Sequence, residues 1–177
     1  IGYFGLMDHG SNNGRGVIPA PPSPWTRIKA GWSDALMINP YDGMDTVITL
    51  PALDISNQVY QIKIAEDEYF FLENRNNWTS QLTDIDSLRL KNKIDENKLG
   101  HWFDSVIEEF TDSQIQIDED TTGVITGFDH YDYGLPGSGI LIWHIKEPDP
   151  SIYNVGVNND LDNRHVQIEE ADGAQDI

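Results

Sequence analysis

The feature that most constrains the fold is a tight loop followed at once by an apolar run. Residues 134–139 (GLPGSG) contain three glycines and one proline, which favour turns, and residues 140–145 (ILIWHI) follow them directly. A short apolar run that is rich in β-branched and aromatic residues and starts at a turn is typical of a buried strand. Residues 140–145 therefore carry the strongest buried-strand signal in the chain.

Other segments predict further strands and few helices. The predicted strands are residues 46–50, 58–64, 68–73 and 165–169, with a hairpin turn at 65–67 and short strands around the acidic turn 118–120. Ser23 is a favourable N-cap before Pro24, and Gly31 ends that short helix. Residues 102–110 fit an amphipathic helix, whereas the glycines of residues 10–16 predict a loop. The predicted fold class is therefore α+β and β-rich.

Composition excludes several classes of function. Thirty acidic residues against eleven basic ones give a net charge of -19, which argues against binding to nucleic acid or to anionic membrane surfaces. The absence of cysteine excludes disulfide scaffolds, thiolate zinc sites and cysteine nucleophiles. The many aromatic residues argue against disorder, and no apolar run reaches the roughly 18 residues that span a bilayer. Because the chain starts at Ile1 without a leader-like segment, we expect a fragment or a processed chain.

Four short segments, taken in their order along the chain, carry a resemblance to known proteins. They are residues 5–11 (GLMDHGS) with Pro19, Ser23, Trp25, Gly31 and Trp32, residues 68–75 (EYFFLENR), residues 134–144 (GLPGSGILIWH) and residues 166–173 (VQIEEADG). Together they resemble the immune inhibitor A-like family of secreted bacterial zinc metallopeptidases. The third segment is the most specific of the four. Residues 76–127 do not match the family pattern and are interpreted as an insertion.

The resemblance implies a metzincin-like enzyme that hydrolyses protein or peptide substrates outside the cell. In such enzymes a helix with a His-Glu-x-x-His motif binds zinc above a Met-turn and supplies the glutamate that activates zinc-bound water. This chain has five histidines, of which no two are four residues apart: His9, His101, His130, His144 and His165. We therefore expect the zinc ligands upstream of the chain, which should be inactive alone. Residues 1–44 would be the C-terminal part of the zincin-type catalytic domain with its Met-turn, and residues 45–177 a β-rich region of antiparallel β-structure that continues the peptidase.

Met7 and His9 are the candidate active-site residues that the resemblance assigns to this chain. Met7 matches the Met-turn methionine, whose thioether forms an apolar floor beneath the zinc ligands; the alternative is an ordinary core methionine. His9 lies where several metzincins have a tyrosine that stabilises the oxyanion, and a histidine could donate in the same way. The alternative is a loop histidine exposed to solvent. Asp8 could instead orient a ligand histidine through its carboxylate.

Other polar residues have a structural interpretation beside the functional one. His144 is expected to be a hydrogen-bonded core histidine, and His165 is likewise interpreted as structural. Residues 158–163 (NNDLDN) carry oxygen donors at alternate positions, so Asp160 and Asp162 are candidate calcium ligands. The segment lacks the glycine and the terminal glutamate of an EF-hand, and a polar turn is the alternative. Asn77 starts a glycosylation sequon, a pattern that often arises by chance.

The sequence thus supports two functions from different classes. The first is part of a secreted zinc endopeptidase, with the zinc-binding helix missing from this chain. The second is a noncatalytic β-rich binding or accessory module of an extracellular protein, since the acidic, aromatic-rich composition fits either. A His-Glu-x-x-His motif encoded upstream of Ile1 would favour the first. The oligomeric state does not follow from the sequence.

Overall fold

The described part of the chain leaves out several segments. The computed structural model describes residues 1–16, 19–41, 43, 45, 47–77, 117–122, 125–128, 131–152, 156–160 and 162–169. The predicted helix at residues 102–110 lies outside these ranges, as do His101 and His130. None of the described helices is long and apolar enough to cross a membrane.

A mixed five-stranded sheet is the main element of the fold. Its strands are β1 (Ala35–Ile38), β2 (Val59–Lys63), β3 (Glu68–Arg75), β6 (Gly139–Lys146) and β7 (Val166–Ile168), and they lie side by side in that order. β1 runs parallel to β2, whereas the other neighbouring pairs are antiparallel. Two further strands, β4 (Ile117–Glu119) and β5 (Ile125–Phe128), form a separate antiparallel pair. The β-rich class is confirmed, but the expectation of antiparallel β-structure holds only in part because of the β1–β2 pair.

The predicted strands have different outcomes. β2, β3 and β7 lie where the alternation placed them, and the hairpin turn at residues 65–67 is confirmed, since Lys63 pairs with Tyr69. The predicted strand at residues 46–50 is wrong: residues 47–50 form no strand, and Val47 is 97 % exposed, so its alternation faces no core. The turn predicted at 118–120 starts two residues later, because Asp118 and Glu119 belong to β4.

The core lies on one face of the five-stranded sheet. It consists of alternate side chains of four strands: Val59, Tyr69, Phe71, Trp143, Ile145 and Val166. In the central β3–β6 pair, Phe71 lies opposite Trp143 and Tyr69 opposite Ile145. Burial of each large apolar side chain contributes about 1.5–3 kcal/mol, so these residues dominate the stability of the sheet.

Only one face of β6 is buried, which corrects the expectation for residues 140–145. Trp143 and Ile145 are fully buried, but Ile140 is 53 % and Ile142 is 40 % exposed. A continuous apolar run is typical of a strand covered on both faces, whereas here the second face of the sheet stays partly open. The apolar run therefore located the strand correctly and overstated its burial.

A short helix, α1 (Pro24–Lys29), packs Trp25 and Ile28 against the core. It begins as predicted, because the Ser23 hydroxyl accepts a hydrogen bond from the Thr26 N–H and Pro24 takes the first helical position. It ends at Gly31, whose φ of 73° is in the left-handed region. The N–H groups of Gly31 and Trp32 donate to the carbonyls of Ile28 and Arg27, the arrangement of a Schellman cap.

The remaining described elements are short 3-10 helices. They are Gly2–Phe4, His9–Gly16, Tyr131–Gly134 and Pro150–Ile152. Residues 10–16, predicted to be a loop, thus belong to a 3-10 helix, an element with poor hydrogen-bond geometry that leaves no clear sequence period.

The chain divides into two compact units. One consists of Ile1, Pro22–Arg75 and Gly139–Ile177, and contains the five-stranded sheet. The other consists of Gly2–Pro21 and Asn76–Ser138. The division after residue 44 that the family resemblance implies stays a prediction.

Candidate functional site

The loop that carries Met7 and His9 is tightly folded at its base. The backbone of Gly10 approaches Gly5 so closely that an added Cβ would lie 2.5 Å from the Gly5 carbonyl oxygen and 2.8 Å from the Ala20 Cβ. The Gly10 carbonyl also accepts a hydrogen bond of 2.9 Å from the Ala20 N–H. Glycine is therefore required at position 10 for steric reasons, and this close contact fixes the loop on which the candidate residues lie.

Asp8 holds the tip of this loop together. Its Oδ2 atom accepts a hydrogen bond of 2.9 Å from the Gly2 N–H, and its Oδ1 atom accepts one of 2.8 Å from the His9 N–H. Partial burial works to raise the pKa of Asp8, but the hydrogen bonds that it accepts, among them those from Gly2 and His9, hold its pKa below the usual value. The carboxylate thus serves the loop itself, and its orientation of a ligand histidine stays a prediction.

The side chains of Met7 and His9 are both largely exposed. The Met7 side chain is 80 % exposed, so the alternative interpretation of Met7 as a core methionine is wrong for this chain. The His9 side chain is 69 % exposed, and its Nδ1 atom lies 3.5 Å from Asp8 Oδ1. The imidazole also lies beside the Tyr3 ring, with 5.7 Å between the ring centroids.

Tyr3 is a neighbour of the candidate site that the sequence reasoning missed. Its ring is 54 % exposed, and its carbonyl accepts a hydrogen bond of 2.9 Å from the Asn13 side chain. The 3-10 helix Gly2–Phe4 brings it next to His9, although six residues separate them in sequence. Nothing in the spacing indicated this pairing, since 3-10 helices were not predicted here.

In the loop of residues 158–163, some of the side-chain oxygens accept hydrogen bonds from the backbone. Asn158 Oδ1 accepts hydrogen bonds from the N–H groups of His165 and Val166 at 2.9 and 3.1 Å, and so aligns β7. Asp160 Oδ1 accepts one from the Asp162 N–H at 3.1 Å, which forms an Asx-type turn. Asp160 and Asp162 are exposed, so calcium binding by these two residues stays a proposal.

The calcium proposal predicts a thermal response. A calcium ion that binds only the folded loop should raise the melting temperature with increasing calcium concentration. The Asp160→Asn and Asp162→Asn double variant should lose this rise, although the amide oxygen that replaces the Asp160 carboxylate can still accept the hydrogen bond that forms the turn. Differential scanning calorimetry with calcium and with magnesium checks the effect. A melting temperature of the parent chain that calcium leaves unchanged would identify the loop as a polar turn.

His144 has more polar partners than a core histidine needs. Its Nε2 atom lies 2.7 Å from Glu68 Oε1, and its Nδ1 atom lies 2.9 Å from Glu169 Oε1. The side chain is 22 % exposed on the open face of the sheet, so the expectation of a core position is wrong. The structural role of His165 agrees with its contact of 2.9 Å between Nδ1 and the Lys146 carbonyl.

A buried ionic group, which we call the Glu73 cluster, consists of Arg27, Glu73, Arg75 and Trp143. Glu73 Oε2 accepts from Arg27 Nη2 at 2.8 Å, and Glu73 Oε1 accepts from Arg75 Nη1 at 3.1 Å and from Trp143 Nε1 at 2.9 Å. The three charged side chains are 0–6 % exposed. Sequence reasoning missed this cluster because Glu73 and Arg75 lie on the buried face of β3, where charges are rarely expected.

The described residues contain no group of three histidine, aspartate or glutamate side chains that could hold a metal ion. Comparisons of the chain with models of known protein families, with curated proteins and with solved structures find no match. The functional assignment therefore rests on the segments that resemble the peptidase family and on the geometry of the loop around Met7.

Proposed function

We propose that this chain is part of a secreted zinc-dependent endopeptidase and that the loop of residues 5–11 forms the floor of its active site. The observation that carries the proposal is the outward-facing Met7 side chain, which is 80 % exposed on a loop whose sequence resembles a Met-turn. A thioether held outward on an ordered loop can pack beneath a metal site that another part of the protein supplies.

The hydrogen bonds around Asp8 support this role for the loop. Gly2 and His9 both donate to the Asp8 carboxylate, and they lie on opposite sides of Met7 in the sequence. The carboxylate therefore fixes the backbone before and after the methionine. A fixed backbone is what a residue needs when it supports other side chains through packing rather than through chemistry.

The described residues do not fit zinc as a set of ligands. Asp8 accepts hydrogen bonds within its own loop, and within the described ranges it is the one acidic residue in contact with the His9 ring. In the proposal the zinc ligands come from a His-Glu-x-x-His helix outside this chain. The contribution of this chain to the reaction is the packing of Met7 and the hydrogen-bond donor capacity of His9.

The proposal is tested by comparing this chain with a longer form of the protein. The 177-residue chain should bind no stoichiometric zinc and should not cleave casein, because it lacks a pair of ligand histidines. A form extended upstream through a His-Glu-x-x-His motif should cleave casein and lose this activity when a chelator removes the metal.

Two outcomes would contradict the proposal. One tightly bound zinc per 177-residue chain, measured by elemental analysis, would show that the ligands lie within it. A full-length protein without the motif and without peptidase activity would exclude the endopeptidase and favour the noncatalytic accessory module.

A further inference from the structure

We propose that the outer edge of β1 and the pocket beside it bind an extended, basic segment of another polypeptide. The site lies in the unit that contains the five-stranded sheet, whereas Met7 belongs to the other unit. It does not depend on the peptidase proposal, and it can be tested separately.

The backbone of β1 has one free edge in the described part of the chain. β1 is the outermost strand of the sheet, and its backbone groups hydrogen-bond to β2 alone among the described residues. In an edge strand, alternate residues direct an N–H and a carbonyl away from the partner strand. An extended polypeptide offers donors and acceptors at the same spacing, so the free edge selects this class of ligand.

The side chains of β1 leave the edge accessible. Leu36 is 48 % exposed and Met37 is 62 % exposed, on opposite faces of the strand. Neither is bulky enough or charged enough to prevent pairing, and β1 contains no proline or inward-pointing charge of the kind that protects edge strands. Among the described residues, nothing therefore prevents one more strand from pairing with this edge.

An open pocket of about 480 Å³ lies at the start of β1. Its lining includes Trp32, Asp34, Leu36, Asn57 and Gln58. A polypeptide that pairs with β1 would pass this pocket and could place a long side chain in it. Backbone pairing would then provide affinity, and the pocket would provide selectivity for one side chain.

The wall of the pocket is rigid although the Trp32 ring is 64 % exposed. The Trp32 N–H donates to the Arg27 carbonyl at 2.8 Å, as part of the cap that ends α1, and the Trp32 carbonyl accepts from Asn57 Nδ2 at 2.7 Å. The buried Ser33 hydroxyl donates to the Asn57 carbonyl at 2.8 Å. The backbone under the ring is thus held in place before any ligand binds, which reduces the entropic cost of binding.

The chemistry of the pocket favours a cation. The Asp34 carboxylate is exposed and, within the described ranges, makes no hydrogen bond or ion pair. The face of an exposed tryptophan attracts cations, and a planar guanidinium can stack on it while it donates to a carboxylate. The net charge of -19 adds a long-range attraction for basic segments. Arginine is therefore the side chain that best fits the pocket.

The test uses short synthetic peptides and the full chain. The probe is acetyl-Thr-Val-Arg-Val-Thr-amide, with its Arg→Glu version as the charge control, and binding is followed by chemical-shift changes in NMR spectra. Two further versions of the probe are N-methylated, one at the second and fourth residues and the other at the first, third and fifth. One of these two sets of amides would face β1, and the other would face solvent.

We expect saturable binding of the arginine peptide and at least roughly tenfold weaker binding of the glutamate peptide. One N-methylated version should bind roughly tenfold more weakly, since it loses backbone hydrogen bonds, while the other should bind like the parent probe. Absence of saturable binding, equal binding of the arginine and glutamate peptides, or equal binding of the two N-methylated versions would each overturn the proposal.

Substitutions locate the binding to this pocket. Trp32→Ala should weaken binding of the arginine peptide about two- to fivefold, and Asp34→Asn should weaken it and reduce its dependence on salt. Asp149→Asn is the matched control, because Asp149 is also exposed but follows β6, which β2 and β3 separate from β1. Its Oδ1 accepts from the Ser151 N–H, and asparagine can keep this contact. A loss of affinity in the control equal to that in Asp34→Asn would contradict a site at β1.

Discussion

Replacing Glu73 with glutamine should lower the free energy of unfolding of this chain by roughly 3–5 kcal/mol, the cost of removing one partner from a buried ion pair. Glu73 is 1 % exposed and accepts from two arginines and from the Trp143 indole. Glutamine has one acceptor oxygen where glutamate has two. Its NH₂ group would face the N–H groups of Arg27 or Arg75, and two donors cannot form a hydrogen bond. The arginine charges, 0–6 % exposed, would lose their shared carboxylate.

Glu147→Gln is the matched control for this prediction. Glu147 accepts a hydrogen bond from the Tyr69 hydroxyl, and its Oε1 atom lies 3.0 Å from Lys29 Nζ. Unlike Glu73, its side chain is 26 % exposed, and that of Lys29 is 46 % exposed. A partly solvated pair of this kind contributes little, so the control should cost less than about 1 kcal/mol. Urea denaturation of both variants, followed by fluorescence, measures the difference through the midpoint at constant slope. Equal losses in the two variants would show that burial does not set the strength of the Glu73 cluster.

In the proposed full-length endopeptidase, His9→Ala should lower kcat by about 10²–10³, the effect of removing a donor to a developing oxyanion. KM should change little, because such a donor acts on the transition state and not on the bound substrate. The geometry allows this role, since the imidazole is 69 % exposed and its contact with Asp8 in the described part of the chain is made through Nδ1. A kcat close to that of the parent enzyme would identify His9 as an exposed loop residue without a role in the reaction.

Met7→Leu is the companion variant that separates packing from chemistry. Leucine conserves volume and apolarity, so the substitution should cost less than about 1.5 kcal/mol and leave most of the activity. In the 177-residue chain the side chain is 80 % exposed, and the melting temperature should hardly change. If Met7→Leu abolished activity while zinc remained bound, the packing role of this residue would be wrong. The comparison of kcat, zinc content and melting temperature for both variants therefore tests each role separately.

Much of the sheet could be predicted because its strands carry strong local patterns. β3 carries three consecutive aromatic residues, β6 combines isoleucines with a tryptophan, and the Ser23-Pro24 start of α1 carries its own capping chemistry. β1 could not be predicted, because it is a four-residue edge strand with Leu36 and Met37 both exposed and thus has no period to detect. Its place in the sheet depends on pairing with β2, a contact that no local pattern contains.

The site residues were predictable only as positions in the chain. The resemblance assigned roles to Met7 and His9, but it contained no information on the Asp8 hydrogen bonds or on the Tyr3 ring beside His9.

The Glu73 cluster could not be predicted for a different reason. It joins a helix and two strands, and 46 residues separate Arg27 from Glu73 while 70 separate Glu73 from Trp143. Such long-range partners follow from the fold and not from spacing.

Because Arg75 pairs directly with Gly139, the length of the segment between them should have little influence on the stability of the sheet. Residues 76–138 leave the sheet and return to it at two directly opposite positions, so a longer or shorter segment would end at the same place. The entropic cost of closing a loop grows only with the logarithm of its length, and doubling the length of the loop costs about 0.6 kcal/mol. The rate of folding is more sensitive, because the central strands must meet across a long stretch of chain before either gains its core contacts. Variation in this segment should therefore alter how fast the sheet forms much more than how stable it is.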